Sequence, residues 1–345
     1  MTETSKPPLK GPEETSQEQA RSAIEEAQPS TPGSEETGSE ETASEGPSRC
    51  GTVAIAGTPN VGKSTLLNTL VGLKVAAVTP KPQTTRVRTR GIVNHPRGQI
   101  VFVDTPGVHV AKKALNRYLV DQAMEGLTDV DGVVLMVEPG HHPQRASRGL
   151  RVLLRRFMKR RPERLLLAIN KIDTMGDRKQ LLPAIQAWDE ALHPEAIVPI
   201  CARNGDGVDA LLEEVAQGLP QGPHLFPDEM LTDRTERWIA GELIREQLTL
   251  LTQQELPYSL AVEIESFQER EDRGDVLIHA KIWVERESQK PIVVGKEGAR
   301  LKKVGTRARK AITELLGRPA HVKLWVKVAS KWTEDPRGLK RVGYE

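Results

Sequence analysis

The 345 residues balance 49 Lys and Arg against 47 Asp and Glu, a formal net charge of +2, and include only two cysteines. Cys50 and Cys201 are too few for a disulfide framework or a four-cysteine zinc site, and no apolar run approaches the roughly 20 residues of a membrane span. The charge is uneven, with a net of −7 over residues 1–49 and +10 over residues 290–345, so the basic end is expected to face a polyanion.

Residues 1–48 consist mostly of Ser, Glu, Thr, Pro and Gly. Such a segment buries too little apolar surface to offset its ordering entropy and is expected to be disordered. It is acidic and has no apolar stretch of signal-peptide type, so a soluble, intracellular protein is expected. From Thr52 the texture changes. Val53–Ala56 reads as a buried strand, followed by a Gly-rich turn and a helical pattern through Leu66, Leu67 and Leu70. Further strands are expected at Ile100–Val103, Val133–Val137, Leu165–Ile169 and Ile197–Ile200, with helices such as Leu150–Lys159 and Leu181–Leu192 between them. Alternating strands and helices predict a mostly parallel sheet with helices on both faces, over about residues 50–220.

Leu219-Pro220-Gln221-Gly222-Pro223 reads as a linker. Beyond it, a helix (Thr235–Leu251) and two strands (Tyr258–Phe267, Val276–Glu285) are expected. A glycine loop, a helix to Leu316 and a last strand, Ala320–Val328, follow. These helices are not interleaved with parallel strands, so residues 221–345 are expected to be α+β with a basic tail.

Gly57-Thr58-Pro59-Asn60-Val61-Gly62-Lys63-Ser64-Thr65 matches G-x-x-x-x-G-K-[ST] in a strand–loop–helix context. The glycines let backbone N–H groups turn toward phosphate oxygens, and the following helix presents its positive end to the same charge. Lys63 would reach the β- and γ-phosphates and the Ser64 hydroxyl would ligate Mg²⁺. Asp104-Thr105-Pro106-Gly107 ends a strand, so Asp104 can hold Mg²⁺ through water while the Gly107 N–H faces the γ-phosphate. Asn170-Lys171-Ile172-Asp173 ends another. The carboxylate of Asp173 can accept from both N1–H and the 2-amino group of guanine, donors that adenine does not present together, which selects GTP over ATP.

In this order the three motifs resemble the translation-factor-like GTPases of the Era family. Lys81-Pro82-Gln83-Thr84-Thr85-Arg86 resembles that family's first switch, where the resemblance assigns Thr85 to Mg²⁺ and the γ-phosphate. Lys63, Thr85 and Gly107 are thereby the expected catalytic groups. The family's guanine-stacking loop, usually Ser-Ala-x, corresponds to Cys201-Ala202-Arg203. Cysteine here replaces the serine hydroxyl, whereas the contact of the Ala202 N–H with guanine O6 is expected to survive. Asn60 resembles the asparagine that ligates K⁺ in related GTPases. Val108 follows the Asp104 motif where many small GTPases carry a water-orienting glutamine; it has no polar group, and His109 is expected to be solvated.

Ile292-Val293-Val294 reads as an apolar strand end before Gly295-Lys296-Glu297-Gly298, and a helix carrying Arg300, Lys302, Lys303, Arg307, Arg309 and Lys310 follows. A G-x-x-G beside basic residues is how KH modules clamp about four nucleotides. The order helix–strand–strand–helix–helix–strand resembles the bacterial type of KH domain. Gly295, Lys296, Glu297, Gly298, Arg300, Lys302 and Lys303 are the expected RNA contacts, with Trp325 and Trp332 as candidate base-stacking residues. The resemblance to Era runs from about residue 51 to the end. It implies a GTP/GDP switch acting in assembly of the 30S subunit by binding the 3′ end of 16S-type rRNA. It further implies Mg²⁺, a monomer, and a cytoplasmic location with peripheral contact at the inner face of the cell membrane. Hydrolysis would be transmitted across the linker near Pro220. Two alternatives stay open: an RNA-binding protein with a degenerate nucleotide domain, and a switch whose basic domain binds a protein or an anionic membrane.

Overall fold

The computed structural model describes residues 48–108, 114–177, 179, 181–253 and 256–344. The disorder expected at 1–48, save for Ser48, and the solvation expected of His109 lie outside the described residues.

The first half builds a six-stranded sheet. In chain order it contains β1 (Cys50–Gly57), α1 (Lys63–Val71), β2 (Thr89–His95), β3 (Gly98–Asp104), α2 (Ala114–Glu125) and β4 (Gly132–Val137). There follow α3 (Arg148–Lys159), β5 (Leu165–Asn170), α4 (Leu181–Leu192), β6 (Ala196–Ile200) and α5 (Val208–Gln217). The strand order is β2-β3-β1-β4-β5-β6, parallel except for β2. β4 and β5 are buried at every position, as a parallel strand covered on both faces requires. Leu66 and Leu67 of α1 and Leu211 and Val215 of α5 belong to one core. Leu150, Leu153 and Phe157 of α3 and Trp188 of α4 belong to the core across the sheet.

β2 was not expected. Its sequence Thr-Arg-Gly-Ile-Val-Asn-His is polar at both ends around Ile92 and Val93, because it is an edge strand turned back on β3. The presumed linker explains how that edge is covered. The Ile92 N–H donates to Leu231 O at 2.9 Å, Asn94 Nδ2 to Asp228 O at 2.6 Å, and Arg90 pairs with Asp233. Residues 221–233 are thus laid along the first sheet, and they occupy the open hydrogen-bonding edge that an unpaired strand would offer to other chains.

The second half contains α6 (Glu236–Leu251), β7 (Ala261–Arg270), β8 (Asp275–Val284), α7 (Lys290–Val294), α8 (Ala299–Leu316), β9 (Ala320–Val328) and α9 (Pro336–Arg341). β7 and β8 are antiparallel, while β8 and β9 are parallel. Ile239, Leu243 and Leu248 of α6 and Val304, Ala308 and Ile312 of α8 join β8 residues Ile278, Ala280 and Ile282 in one core. The Thr235 hydroxyl accepts from the Trp238 N–H and so starts α6 at the expected position. Ile292–Val294, expected as a strand end, is the last turn of α7: Pro291 fits the first turn of a helix, and the N–H of Gly295 closes on Pro291 O at 2.8 Å.

Candidate nucleotide and RNA sites

The phosphate loop lies between β1 and α1, Asp104–Gly107 follows β3, Asn170–Asp173 follows β5 and Cys201–Arg203 follows β6. All four leave the carboxyl ends of parallel strands, where open α/β sheets bind ligands. Lys63 is buried, with its ammonium donating to Thr58 O at 3.0 Å and Gly57 O at 3.4 Å. Burial pushes that ammonium down to about 8, against the opposing charge of Asp104. Burial likewise pushes the Asp104 carboxyl up, opposed by Lys63 and by the hydroxyls of Ser64 and Thr85.

Three oxygens converge there. Ser64 Oγ is 2.7 Å from Asp104 Oδ2 and 2.6 Å from Thr85 Oγ1, and Thr85 Oγ1 is 3.1 Å from the same carboxylate oxygen. Asp104 Oδ1 is buried and has no hydrogen-bond partner among the described residues. Two hydroxyls and a buried carboxylate with an orphan oxygen form a hard-oxygen set that fits Mg²⁺ or its bound water. Thr105 anchors its loop by donating to Ile55 O at 2.8 Å, and Gly107 lies against Pro59 of the phosphate loop.

Asn170 ties three loops together. Its Nδ2 donates to Val61 O at 2.7 Å, and its Oδ1 accepts from the Ala202 N–H at 2.9 Å. That second bond engages the Ala202 N–H, the group expected to meet guanine O6. Gly62 permits this closeness, since a Cβ there would sit 2.2 Å from Asn170 Nδ2 and the residue has φ +105°. Cys201 behaves differently from expectation. Its thiol donates to Asp173 Oδ1 at 3.2 Å, so sulfur takes over a contact in doubt without the serine hydroxyl. Arg203 donates to Asp173 Oδ2 at 2.7 Å, Lys171 pairs with Glu138, and Ile172 is buried beneath the loop. Asn60 lines the phosphate cavity and donates from Nδ2 to Pro80 O at 2.8 Å, which leaves its carbonyl oxygen for a cation.

The Gly295–Gly298 loop joins α7 to α8. A Cβ on Gly295 would sit 2.7 Å from Arg300 Cβ, whereas Gly298 faces open space at φ +79°. Lys296, Glu297, Lys302 and Lys303 are exposed, and the Arg300 guanidinium donates to Ile292 O. Between α8 and β9 runs a groove of about 510 Å³ with Leu301, Gly305, Val322 and Leu324 on its floor and Lys302 and Arg309 at its rim. These floor residues escaped sequence reading because apolar positions on a helix and a strand look like ordinary core until the groove between them is seen. Trp325 is half-buried beside the His279 ring. Trp332 is no stacking platform: it is fully buried, donates to Ser259 O at 3.1 Å and stacks on Tyr344.

The residues joining the two halves were also missed. Arg86, buried, donates to Leu260 O at 2.6 Å, Tyr344 Oη at 2.9 Å and Pro257 O at 3.0 Å, with its guanidinium against the Trp332 and Tyr344 rings. Arg245 of α6 donates to Thr84 O. Glu246 accepts from the Val78 N–H at 2.9 Å and pairs with Lys74 at 2.7 Å, while Lys81 Nζ donates to Thr249 O at 2.7 Å. The loop carrying Thr85 is therefore bonded to the helix that opens the second half. The C-terminal Leu339, Val342 and Tyr344 share a core with Leu115 and Leu119 of α2.

Comparison with known proteins agrees with this geometry. A family model described as a 50S ribosome-binding GTPase matches residues 52–171, and a KH-domain model matches residues 255–333. The chain is 47% identical over 301 residues to the GTPase Era of Geobacter metallireducens, a match covering 87% of this chain and 99% of that one. It is 44% identical to the GTPase Era of Stenotrophomonas maltophilia strain K279a, covering 87% and 98%. Among solved structures, Era in complex with MgGDPNP and nucleotides 1506–1542 of 16S ribosomal RNA is similar at TM-score 0.80 and 38% identity, over 86% of this chain and 99% of that one. An Aquifex aeolicus Era variant bound to GDP and AlF₄⁻ gives the same values.

Proposed function

The chain belongs to the Era family of GTPases, and from that premise we propose that it acts in 30S subunit assembly by binding the 3′ end of 16S-type rRNA under GTP control. In this reading residues 50–220 form the GTP-binding part and 221–345 the RNA-binding part. One observation carries the proposal: the loop whose Thr85 meets Ser64 and Asp104 is the same loop whose Val78, Lys81 and Thr84 are bonded to α6. A change at the γ-phosphate that moves Thr85 must also load or release the helix packed beneath the KH sheet. Coupling thus runs through Thr84–Arg86 and α6 rather than through the segment near Pro220.

Hydrolysis of GTP to GDP and phosphate proceeds by positioning and charge neutralisation. Lys63 supplies positive charge at the β- and γ-phosphates. The backbone N–H of Gly107 and the Thr85 loop orient the attacking water, since Val108 is apolar and buried. Ser64 and Thr85, with Asp104 through water, would hold Mg²⁺, which would supply charge neutralisation. Asn60 is the residue we assign to K⁺. Hydrolysis in KCl should exceed that in NaCl at equal ionic strength, and Asn60→Ala should erase the difference; equal rates in both salts would remove K⁺ from the scheme.

RNA enters the groove between α8 and β9, with bases over Leu301 and Leu324 and phosphates near Gly295–Gly298, Lys296, Arg300, Lys302 and Lys303. Open space at Gly298 lets a side chain project there, so Gly298→Asp places a carboxylate where backbone and phosphate must approach. Binding of a single-stranded 3′-end rRNA fragment should fall at least about tenfold in this variant and should weaken with salt in the native protein. Native-like affinity in Gly298→Asp, or affinity insensitive to salt, would favour a protein or membrane partner. Among the described residues no helix is long and apolar enough to cross a membrane.

A further inference from the structure

Resting on the RNA-binding reading, we propose that the exposed face of α3 is a second RNA-binding surface, which grips the phosphates of a duplex adjoining the single strand held by the KH groove. Between residues 145 and 164 the sequence carries nine Lys or Arg and a single acidic residue, Glu163. The buried side of α3, with Leu150, Leu153 and Phe157, is committed to the sheet. The outer side presents Arg148, Arg151, Arg155 and Lys159, all exposed and spaced one per helical turn over about 16 Å.

These four cations differ from several other surface arginines of this half. Arg88 pairs with Glu125, Arg90 with Asp233, Arg97 with Glu213 and Arg164 with Glu195. No side-chain hydrogen bond or ion pair satisfies Arg148, Arg151, Arg155 or Lys159 among the described residues. A row of unneutralised like charge on one helix destabilises the helix slightly and is favourable only against an external anion. At its C-terminal end the row opens on a cleft of about 290 Å³ walled by Arg156, Arg160 and Arg161, with Asp129 and Glu163 also on its lining. Arg156 is steadied there by donating to Thr128 Oγ1 at 3.2 Å.

The side-chain chemistry selects the partner. Arginine forks bind phosphate bidentately. The outer face of α3 has no aromatic side chain for stacking unpaired bases, so it suits the backbone of a helix rather than a single strand. Val152 and Met158 are its only exposed apolar groups, and the true apolar side is buried in the sheet, so α3 cannot lie in a bilayer as an amphipathic anchor does. α2, on the same face of the sheet, packs through Leu115 and Leu119 on Ala261 and Trp332 of the KH half. α2 therefore links the core beneath α3, through Ala123, to a core of the KH half.

The test uses full-length protein and three RNAs: a single-stranded 3′-end fragment, the same fragment with an adjoining hairpin, and the hairpin alone. Changing Arg148, Arg151 and Arg155 together to Ala should leave the single-strand affinity and basal GTP hydrolysis unchanged. Affinity for the hairpin-bearing RNA should fall about tenfold or more near 0.1 M salt, with the log–log salt slope reduced by about 2 to 3. Gly298→Asp should remove single-strand binding while sparing the hairpin. Hairpin binding lost in the triple variant supports the α3 surface even if the KH groove binds nothing. An unchanged affinity and slope for hairpin-bearing RNA overturns it. So does a triple variant that loses only binding to phosphatidylglycerol vesicles.

Discussion

Asp173→Asn is expected to lower affinity for GDP and GTP by about 10²- to 10⁴-fold and to raise affinity for xanthosine nucleotides. The range follows from losing one hydrogen bond to a charged acceptor, about 1.5–3 kcal/mol, and leaving its guanine donor unsatisfied, about 1–3 kcal/mol more. Two neighbours hold the carboxylate in place, the Cys201 thiol reaching one oxygen at 3.2 Å and Arg203 the other at 2.7 Å. The asparagine amide keeps one acceptor and gains a donor, which leaves a guanine donor facing a donor but complements the xanthine 2-oxo group. Titration calorimetry with GDP, XDP and ADP reads the change directly. If GDP binds the variant within a few-fold of the native protein, or ATP competes equally with GTP for the native site, Asp173 does not read the base.

Gly107→Ala should cut single-turnover GTP hydrolysis by at least about 100-fold while leaving GDP affinity within a few-fold. A Cβ at this position would lie 2.6 Å from both Cα and N of Pro59. Those are backbone atoms, so the Asp104–Gly107 loop has to retreat from the phosphate loop. Val108 has no polar group, so nothing nearby replaces a displaced backbone donor. Loss of one preorganised donor of this kind costs about 2.7–4 kcal/mol in the transition state. GDP lacks the γ-phosphate and does not depend on that approach. Turnover within threefold of native in rapid-quench measurements would mean the Gly107 backbone does not serve the reaction.

Most of the nucleotide site was legible in the sequence because its chemistry is local. A phosphate needs small residues, a lysine and a hydroxyl within eight positions, and Gly57–Ser64 supplies them consecutively. The buried strands were legible for a related reason: a strand covered on both faces must be apolar at nearly every position, as β4 and β5 are. β2 escaped because an edge strand covered by a chain segment rather than a helix tolerates Arg90, Asn94 and His95. The turn of α7 escaped because three apolar residues fit a short strand and a helical turn equally.

What only the tertiary structure decided are the contacts whose two ends share no sequence signal. The row Arg148, Arg151, Arg155 and Lys159 could be spelled out from the sequence, but only the fold shows that it faces outward, with no acidic partner among the described residues. The Cys201 thiol at Asp173 and the Ala202 N–H on Asn170 are settled by loop packing. Arg86 reads as one more basic residue in a polar stretch, yet it is buried on Leu260 O, 174 positions away. Its acceptors include main-chain carbonyls, which every residue possesses, so nothing in the identity of Leu260 or Pro257 could announce the contact. Only the path of the chain brings those carbonyls to the loop that carries Thr85.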